Sequence, residues 1–528
     1  MSLTTAAASV LPQTVRAQNA APRQGPNIVL ILADDMGFSD SGCFGGEIRT
    51  PHIDSLATDG LRATQFYNIA RCCPTRASLL TGLYPHQTGI GHMIDDYARD
   101  IRARLNSPAY STHLNDRCVT IAEVLRTAGY RTYMSGKWHV GYGDGQRPLH
   151  RGFERSYALI PGACNYFRPG PKQMCLDDQP IAPAGDYYTT DAFSDYAVQF
   201  LQEHQAGHKE QPFFLYATYT APHWPLHARP EDIAKYRGQY RKGWDALGEE
   251  RHRRQIAAGI VDARWEANPR EPGVPPWDTL TEAQKDDFDL RMAIYAAQIE
   301  CMDRGIGRIL AQIKMMGAHE NTLVVFLSDN GGCAEIIDRK SEAPLGSADS
   351  WASYGVGWAD MSDTPFRLFK HYTHEGGIAT PLVARWPAVI PPGMLAHDAG
   401  HCLDLMATFV DISGATYPKT FKGHEILPLE GISLMPMFEG KGLQRSVPLF
   451  WEHEGNRAMR DGQWKIVSRF EGGAWPRRWQ LYDMAADRTE RRNLAAQQPQ
   501  RVQAMAAQWE AWAQRVGVLP WEKALPAR

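Results

Sequence analysis

One cysteine, one Asp-Asp pair and one Asp-Asn pair carry the chemistry this chain could do. Cys72 lies in the stretch Arg71-Cys72-Cys73-Pro74-Thr75-Arg76-Ala77-Ser78-Leu79-Leu80-Thr81-Gly82. The stretch reads as a loop entering a helix: Pro74 suits a first turn, Ala77 to Leu80 are good helix formers, and Gly82 is a natural stop. That places Cys72 just before a helix N-terminus, where unpaired amides and the helix dipole favour a thiolate, and Arg76 adds a fixed cation one turn in. The plain alternative is a structural thiol, or a strained vicinal pair with Cys73. Asp34-Asp35 and Asp329-Asn330 each close an apolar run. Two adjacent acids repel unless a cation lies between them. Asp34, Asp35, Asp329 and Asn330 offer only hard oxygen donors, a set that selects Ca²⁺ or Mg²⁺ over zinc.

These residues need strands to position them. The runs 27–33, 212–219 and 322–327 are continuously apolar and read as buried strands of a parallel or mixed sheet. Ligand sites of such sheets lie at the carboxyl ends of strands, where the acids stand. Further elements follow from local signals. Thr50-Pro51 starts a helix with Thr50 as its cap, and Thr120-Ile121-Ala122-Glu123 and Thr281-Glu282-Ala283-Gln284 are capping boxes. A strand at 130–134 leads into Lys137-Trp138-His139. Residues 143–188 read as a loop-rich pocket wall, and 228–278 as a polar insertion. From about Ser446 the pattern changes to short alternating strands and a last helix, near 499–516.

The cysteine stretch resembles the signature of the Cys-type sulfatases, within the alkaline-phosphatase superfamily, and the resemblance covers nearly everything from Asn27 onward. It implies that Cys72, not Cys73, is oxidised after synthesis to Cα-formylglycine by a formylglycine-generating or anaerobic maturation enzyme. Pro74 and Arg76 match residues that guide this step, and Arg76 also steadies the aldehyde. Gly129-Tyr130-Arg131-Thr132 followed by Gly136-Lys137-Trp138-His139 resembles the second sulfatase signature, so Lys137 and His139 would serve as cation and proton donor. His223, in Ala221-Pro222-His223-Trp224, and Lys370, in Thr364 to Lys370, match further active-site positions. In the family's pattern His223 or Lys370 helps to protonate the leaving oxygen, and His139 supports the diol. The metal set becomes Asp34, Asp35, Asp329, Asn330 and the converted Cys72, with calcium preferred by likeness to bacterial arylsulfatases. The implied fold is α/β, a large and mostly parallel sheet sandwiched by helices, with a smaller C-terminal antiparallel sheet and helix. The implied reaction is hydrolysis of an aryl or carbohydrate sulfate ester. A phosphodiester or phosphonate hydrolase on the same scaffold, and a non-catalytic anion-binding relative, stay open. Arg488 stands where the family commonly has proline, which puts only a local turn in doubt.

The whole chain fits this reading. Its 528 residues allow one large and one smaller domain, divided here as 26–445 and 446–528 after an N-terminal segment 1–25. That segment is rich in Ala, Ser and Val and resembles the end of a secretory signal, so a periplasmic or secreted location is expected. The net charge of −3, without a basic run, argues against nucleic acid as a partner, so an anionic substrate needs a local cationic site. No apolar run is long enough to span a membrane. Nine cysteines are an odd count, and eight remain if Cys72 is converted. Cys164 and Cys175 could pair in an oxidising compartment.

Overall fold

Strand β1 (Asn27–Asp34), Val-, Leu- and Ile-rich, is buried along all but its first residue, as a strand covered on both faces must be. In the computed structural model, which describes residues 25–339, 342–471 and 478–526, β1 is central to an eleven-stranded sheet. The other members are β2 (Leu61–Tyr67), β3 (Arg131–Lys137), β4 (Arg155–Leu159), β5 (Met174–Leu176), β6 (Gln179–Ile181), β7 (Phe213–Pro222), β8 (Thr322–Ser328), β9 (Ala379–Arg385), β10 (Met394–Ala396) and β11 (Gly400–His401). The order is β10-β2-β9-β8-β1-β7-β3-β4-β5-β6, with β11 also on β2.

From β8 to β4 the neighbours are parallel. Strand β9 runs against both β8 and β2, so β2 points the same way as the parallel block. One edge therefore collects the carboxyl ends of β1, β2, β3, β7 and β8 and the amino end of β9. The helices Thr189–Gly207 and Glu282–Met315 pack against each other and on β7. The helix Asp404–Ser413 packs against the helices Ile121–Thr127 and Cys72–Thr81. Both sequence-read capping boxes form: Thr120 and Thr281 each accept the N–H three residues on.

Beyond a two-stranded ribbon, β12 (Thr420–Phe421) with β13 (His424–Glu425), lies an antiparallel sheet. Its strands are β14 (Leu449–His453), β15 (Asn456–Asp461), β16 (Trp464–Ser468) and β17 (Gln480–Asp483). The helix Pro499–Val516 buries Met505, Trp509 and Trp512 against Phe450, Met459, Ile466 and Leu481. The Phe450 and Trp512 rings stack at 5.2 Å.

Residues 143–188 are loop-rich as read, and Gly162 and Ala163 line a cavity, but Arg155–Leu159 adds a parallel strand and two short strands extend the sheet. Three expectations need correction. The polar insertion 228–278 holds the helices Pro230–Ala234 and Gly243–Ala257 and buries Tyr236, Tyr240 and Trp244. Thr50 precedes its helix but does not cap it, because its hydroxyl accepts from Gly42 N–H and donates to Asp54. Cys164 and Cys175 are free thiols: Cys164 lies beside Thr189, and Cys175 sits in β5 opposite Ala158 and Pro180. Residues 1–24, the bulk of the expected leader, lie outside the described residues.

Candidate active site

Six chain segments converge at the carboxyl edge of the sheet. Strand β2 ends at Tyr67, and the chain passes through Ala70, at φ 65°, into the helix Cys72–Thr81. Cys72 is the first residue of that helix, not the residue before it. Arg71 is the cap and Pro74 the third position. Cys72 is 1% exposed and lines a cavity of about 300 Å³ with Arg71, Met93, Asp95, Tyr97, His139, Gly162, Ala163, His223, Trp224, Glu335 and Lys370. The Cys73 thiol lies against the carbonyl of His92 and the sulfur of Met93.

Strand β1 delivers Asp34, where its register with β7 slips between Leu32 and Asp34, and then Asp35 in the left-handed region at φ 64°. Strand β8 delivers Asp329 and Asn330 beside them, since Ala33 pairs with Ser328. All four side chains are buried. Strand β3 ends in Lys137, whose Nζ donates to Asp34 Oδ2 at 2.6 Å. Lys370, ahead of β9, donates to both oxygens of Asp35, at 2.7 and 2.9 Å. Arg76 grips Asp329 Oδ2 through Nε and Nη2 at 3.0 and 2.8 Å, and bonds Lys137 O and the Thr218 hydroxyl. Gly136 lets β3 lie close against β7 beside this cluster, since a Cβ there would stand 1.6 Å from Thr218 O. The structure thus brings together every residue read from the sequence as a candidate.

Burial raises Asp34 and Asp329 towards the neutral acid, Asp329 to about 7 with the neighbouring Asp34 adding to the effect. Burial also opposes ionisation of Asp35, but Lys370 and His223 outweigh it and hold Asp35 below its ordinary value. Asp34 Oδ1 and Asn330 Oδ1 are buried without a hydrogen-bond partner. Two orphaned oxygens among three carboxylates suit an oxygen-seeking divalent cation.

For the Cys72 thiol the neighbouring Cys73 side chain is the strongest influence, and it favours the thiolate. Burial opposes ionisation, yet Cys73, Lys137 and His139 together hold Cys72 well below the usual thiol range. His139 Nε2 lies 3.0 Å from Asp95 Oδ2, and Tyr142 donates to Asp95 Oδ1 at 2.7 Å. Burial lowers His139, but Asp95 and Cys72 raise it further than burial can lower it. Asp95 and the Cys72 thiol thus both bear on the His139 imidazole. Gly162 leaves room for it: a Cβ there would come within 2.5 Å of the imidazole. His223 goes the opposite way, to about 4, through burial and the nearby Lys370 and Lys137, although Asp35 opposes them. Its Nδ1 faces Trp224 O, so Nε2 is turned towards Asp35 Oδ2 at 3.5 Å.

The sequence reading missed the rim. Arg71 pairs with Glu335 at 2.7 Å, and Trp224 Nε1 donates to Glu335 at 2.8 Å. Asp95 and Tyr142, which hold His139, were missed too. Asp95 and Glu335 stand in irregular segments without a periodic pattern, although Arg71 is part of the cysteine stretch itself.

Residues 26–415 match the sulfatase family, and residues 366–514 match the family described as N-sulphoglucosamine sulphohydrolase, C-terminal. The chain is 33% identical over 526 residues to an uncharacterized sulfatase of Schizosaccharomyces pombe, covering 94% of each. It is 32% identical over 453 residues to the arylsulfatase of Klebsiella aerogenes, covering 82% of this chain and 96% of that one. Among solved structures, Ps i-CgsB in complex with k-i-k-neocarrahexaose superposes with a TM-score of 0.68 at 25% identity, over 95% of this chain and 99% of that one. With sheet and sequence agreeing along nearly its whole length, the chain belongs to the sulfatase family, and it is a sulfuric ester hydrolase of the alkaline-phosphatase-like superfamily.

Proposed function

We propose that Cys72 is converted to formylglycine and that its hydrate, carrying two hydroxyls on one carbon, is the nucleophile that cleaves an aryl or carbohydrate sulfate ester. The observation that carries this reading is the company of residue 72. One buried side chain at the cavity floor stands among Lys137, Lys370 and the Asp95–His139 pair. A divalent cation, calcium before magnesium, would be held by Asp34, Asp35, Asp329, Asn330 and residue 72. When bound it supplies positive charge for the nucleophile and the sulfate oxygens.

The chain's own groups account for the rest. Lys137 and Lys370 bind the sulfate oxygens and the charge that develops on them. One hydroxyl of residue 72 attacks sulfur, the bond from sulfur to the ester oxygen breaks, and that oxygen leaves with a proton. Lys370 is the cavity group that carries a proton at neutral pH beside a bare His223 Nε2. His139 then takes the proton of the second hydroxyl, the carbon–oxygen bond to sulfate breaks, and an aldehyde is left for water to rehydrate. A serine at position 72 lacks that second hydroxyl. Because Cys72 is 1% exposed in the folded chain, conversion belongs to a stage before the chain closes over it.

A sulfate monoester carries one negative charge, and a phosphate monoester nearly two at neutral pH. Both suit a cationic pocket, so turnover has to decide. Fully converted enzyme should prefer p-nitrophenyl sulfate to the matching phosphate mono- and diesters, and Cys72→Ser should at best sulfate itself once and stop. A preference for the diester moves the assignment to the phosphodiesterase alternative, and sustained turnover by Cys72→Ser removes the diol.

A further inference from the structure

A second group of metal-ligating side chains lies outside the site just described, where the C-terminal sheet meets the large sheet. The turn between β14 and β15 presents His453 and Glu454, and the loop after Lys370 presents His371. Their donor atoms all lie within 4.8 Å of one another. His371 Nδ1 is 3.2 Å from Glu454 Oε2, and His453 Nε2 is 3.5 Å from Glu454 Oε1. His92 approaches the same carboxylate, its Nε2 3.1 Å from Oε1.

Three imidazoles around one carboxylate could be an ordinary ion-pair network. Two observations favour a cation. His453 is fully buried, yet neither of its ring nitrogens has a hydrogen-bond partner among the described residues. Leaving both without a partner is costly unless something else takes a lone pair. His92 turns Nδ1 towards the carbonyl of Met93 at 3.3 Å, so in the neutral ring the lone pair of Nε2 faces a carboxylate oxygen. Two acceptors that close need a proton or a metal ion between them. A ring whose second nitrogen is tied to a backbone carbonyl is also the usual state of a metal-ligating histidine.

We propose that His371, His453 and Glu454, with His92 as the fourth group, form a binding site for a zinc-class divalent cation. Bond lengths of about 2.0–2.2 Å in a tetrahedral shell put neighbouring donors roughly 3.3–3.5 Å apart, which is the scale of the nitrogen–oxygen separations here. The chemistry differs from that of the catalytic edge. Imidazole nitrogens select zinc, copper or nickel, whereas the oxygens of Asp34, Asp35, Asp329 and Asn330 select calcium or magnesium. Glu454 is 24% exposed and His371 30%, so an ion can reach the site from solvent. The stacked ring of Trp521 walls the His92 side. One adjustment is required. Asn456 Nδ2 lies 3.2 Å from His371 Nε2, which places the metal-free proton on Nδ1. Binding moves that proton to Nε2, and the Asn456 amide turns to accept it, giving up its bonds to His453 O and to the Phe470 N–H. Such a cation would tie His92 and His371, of the large sheet's loops, to the β14–β15 turn.

The test uses the full chain, stripped with a chelator and held in saturating calcium so that the oxygen site is filled. Zinc is titrated against a chromophoric zinc indicator, and the ion is located in crystals by anomalous scattering at the zinc edge. The expected result is one zinc per chain at the four residues, with thermal unfolding moved up by several degrees. Glu454→Gln, at a partly exposed turn, should weaken zinc binding at least 100-fold, whereas Asp329→Ala should leave it unchanged. If His453→Ala unfolds the chain, Glu454→Gln still decides. The proposal is overturned if no zinc is retained at micromolar concentration, or if the zinc found is lost with Asp329→Ala and unaffected by Glu454→Gln. Neither readout depends on turnover, so it stands or falls separately from the sulfatase mechanism.

Discussion

Two buried charge clusters use nearly the same side chains to opposite ends. At the joint between β2, the loop before β9 and the C-terminal sheet, Glu375 is completely enclosed. Lys465 donates to its Oε1 at 2.8 Å, while Arg488 and Tyr67 donate to its Oε2 at 2.8 and 2.9 Å. Lys465 also lies 2.8 Å from Glu490, and Arg460 reaches the Tyr67 hydroxyl. At the catalytic edge, three carboxylates face three cations, but Asp34 Oδ1 and Asn330 Oδ1 are left over and the group opens into a cavity. A closed cluster spends its charges on holding two sheets together. An open one keeps oxygen and cationic groups free for an ion and an anion from solution. Buried charge alone does not separate structure from function, and neither do orphaned polar atoms alone, since Arg488 Nη2 is also left over; the cavity beside the catalytic edge does.

The comparison can be broken from either side. Asp329→Ala should have the largest effect, removing a donor and taking from Arg76 its two short carboxylate contacts. Turnover of an aryl sulfate should fall by about 10²-fold or more, with loss of the divalent ion in metal analysis. Unchanged metal content would remove the assignment. Glu375→Gln should act on stability instead, by about 3–5 kcal/mol, because it leaves Lys465 and Arg488 buried beside a neutral group. Its pH dependence has a definite sign. Burial opposes ionisation of Glu375, but Lys465 and Arg488 pull it from 4.5 down to about 2. The folded state therefore binds fewer protons there. This stabilisation is complete above about 4.5 and disappears as pH falls towards about 2. Denaturant melts of wild type and Glu375→Gln should converge over that window, and a constant difference would rule out the ion-pair account.

Smaller effects probe the catalytic rim. Asp95→Asn should lower kcat roughly tenfold and move the titration of His139 to lower pH, since Asp95 is what raises it against burial. An unmoved pH profile would show that Asp95 only packs. Trp224→Phe keeps a ring and loses the bond to Glu335, so KM should change by only a few-fold with kcat preserved. A large fall in kcat would place the Glu335 rim in the chemistry.

Much of this was legible without coordinates, for physical reasons. Strands buried on both faces have to be continuous apolar runs, so β1, β7 and β8 could be read, and the acids closing them marked the site edge. Capping boxes declared the starts at Thr120 and Thr281. Lys137, His139, His223 and Lys370 were legible through family resemblance, because their own spacing carries no periodicity. Asp95, Tyr142 and Glu335 were not legible. They reach the cavity from irregular segments whose position is set by tertiary packing. Arg488 looked like a turn variant, yet its guanidinium is fully buried against Glu375, Tyr67 and Phe366. No local pattern announces a partner 113 residues away.

The central claim is that residue 72 is the nucleophile in converted form, and peptide mass spectrometry of active enzyme tests it most directly. The fragment spanning Arg71 to Arg76 should carry formylglycine at position 72 and an unmodified thiol at Cys73, with specific activity towards p-nitrophenyl sulfate rising in proportion to the converted fraction. Full activity from protein with an intact Cys72 thiol, or formylglycine at Cys73, would contradict it.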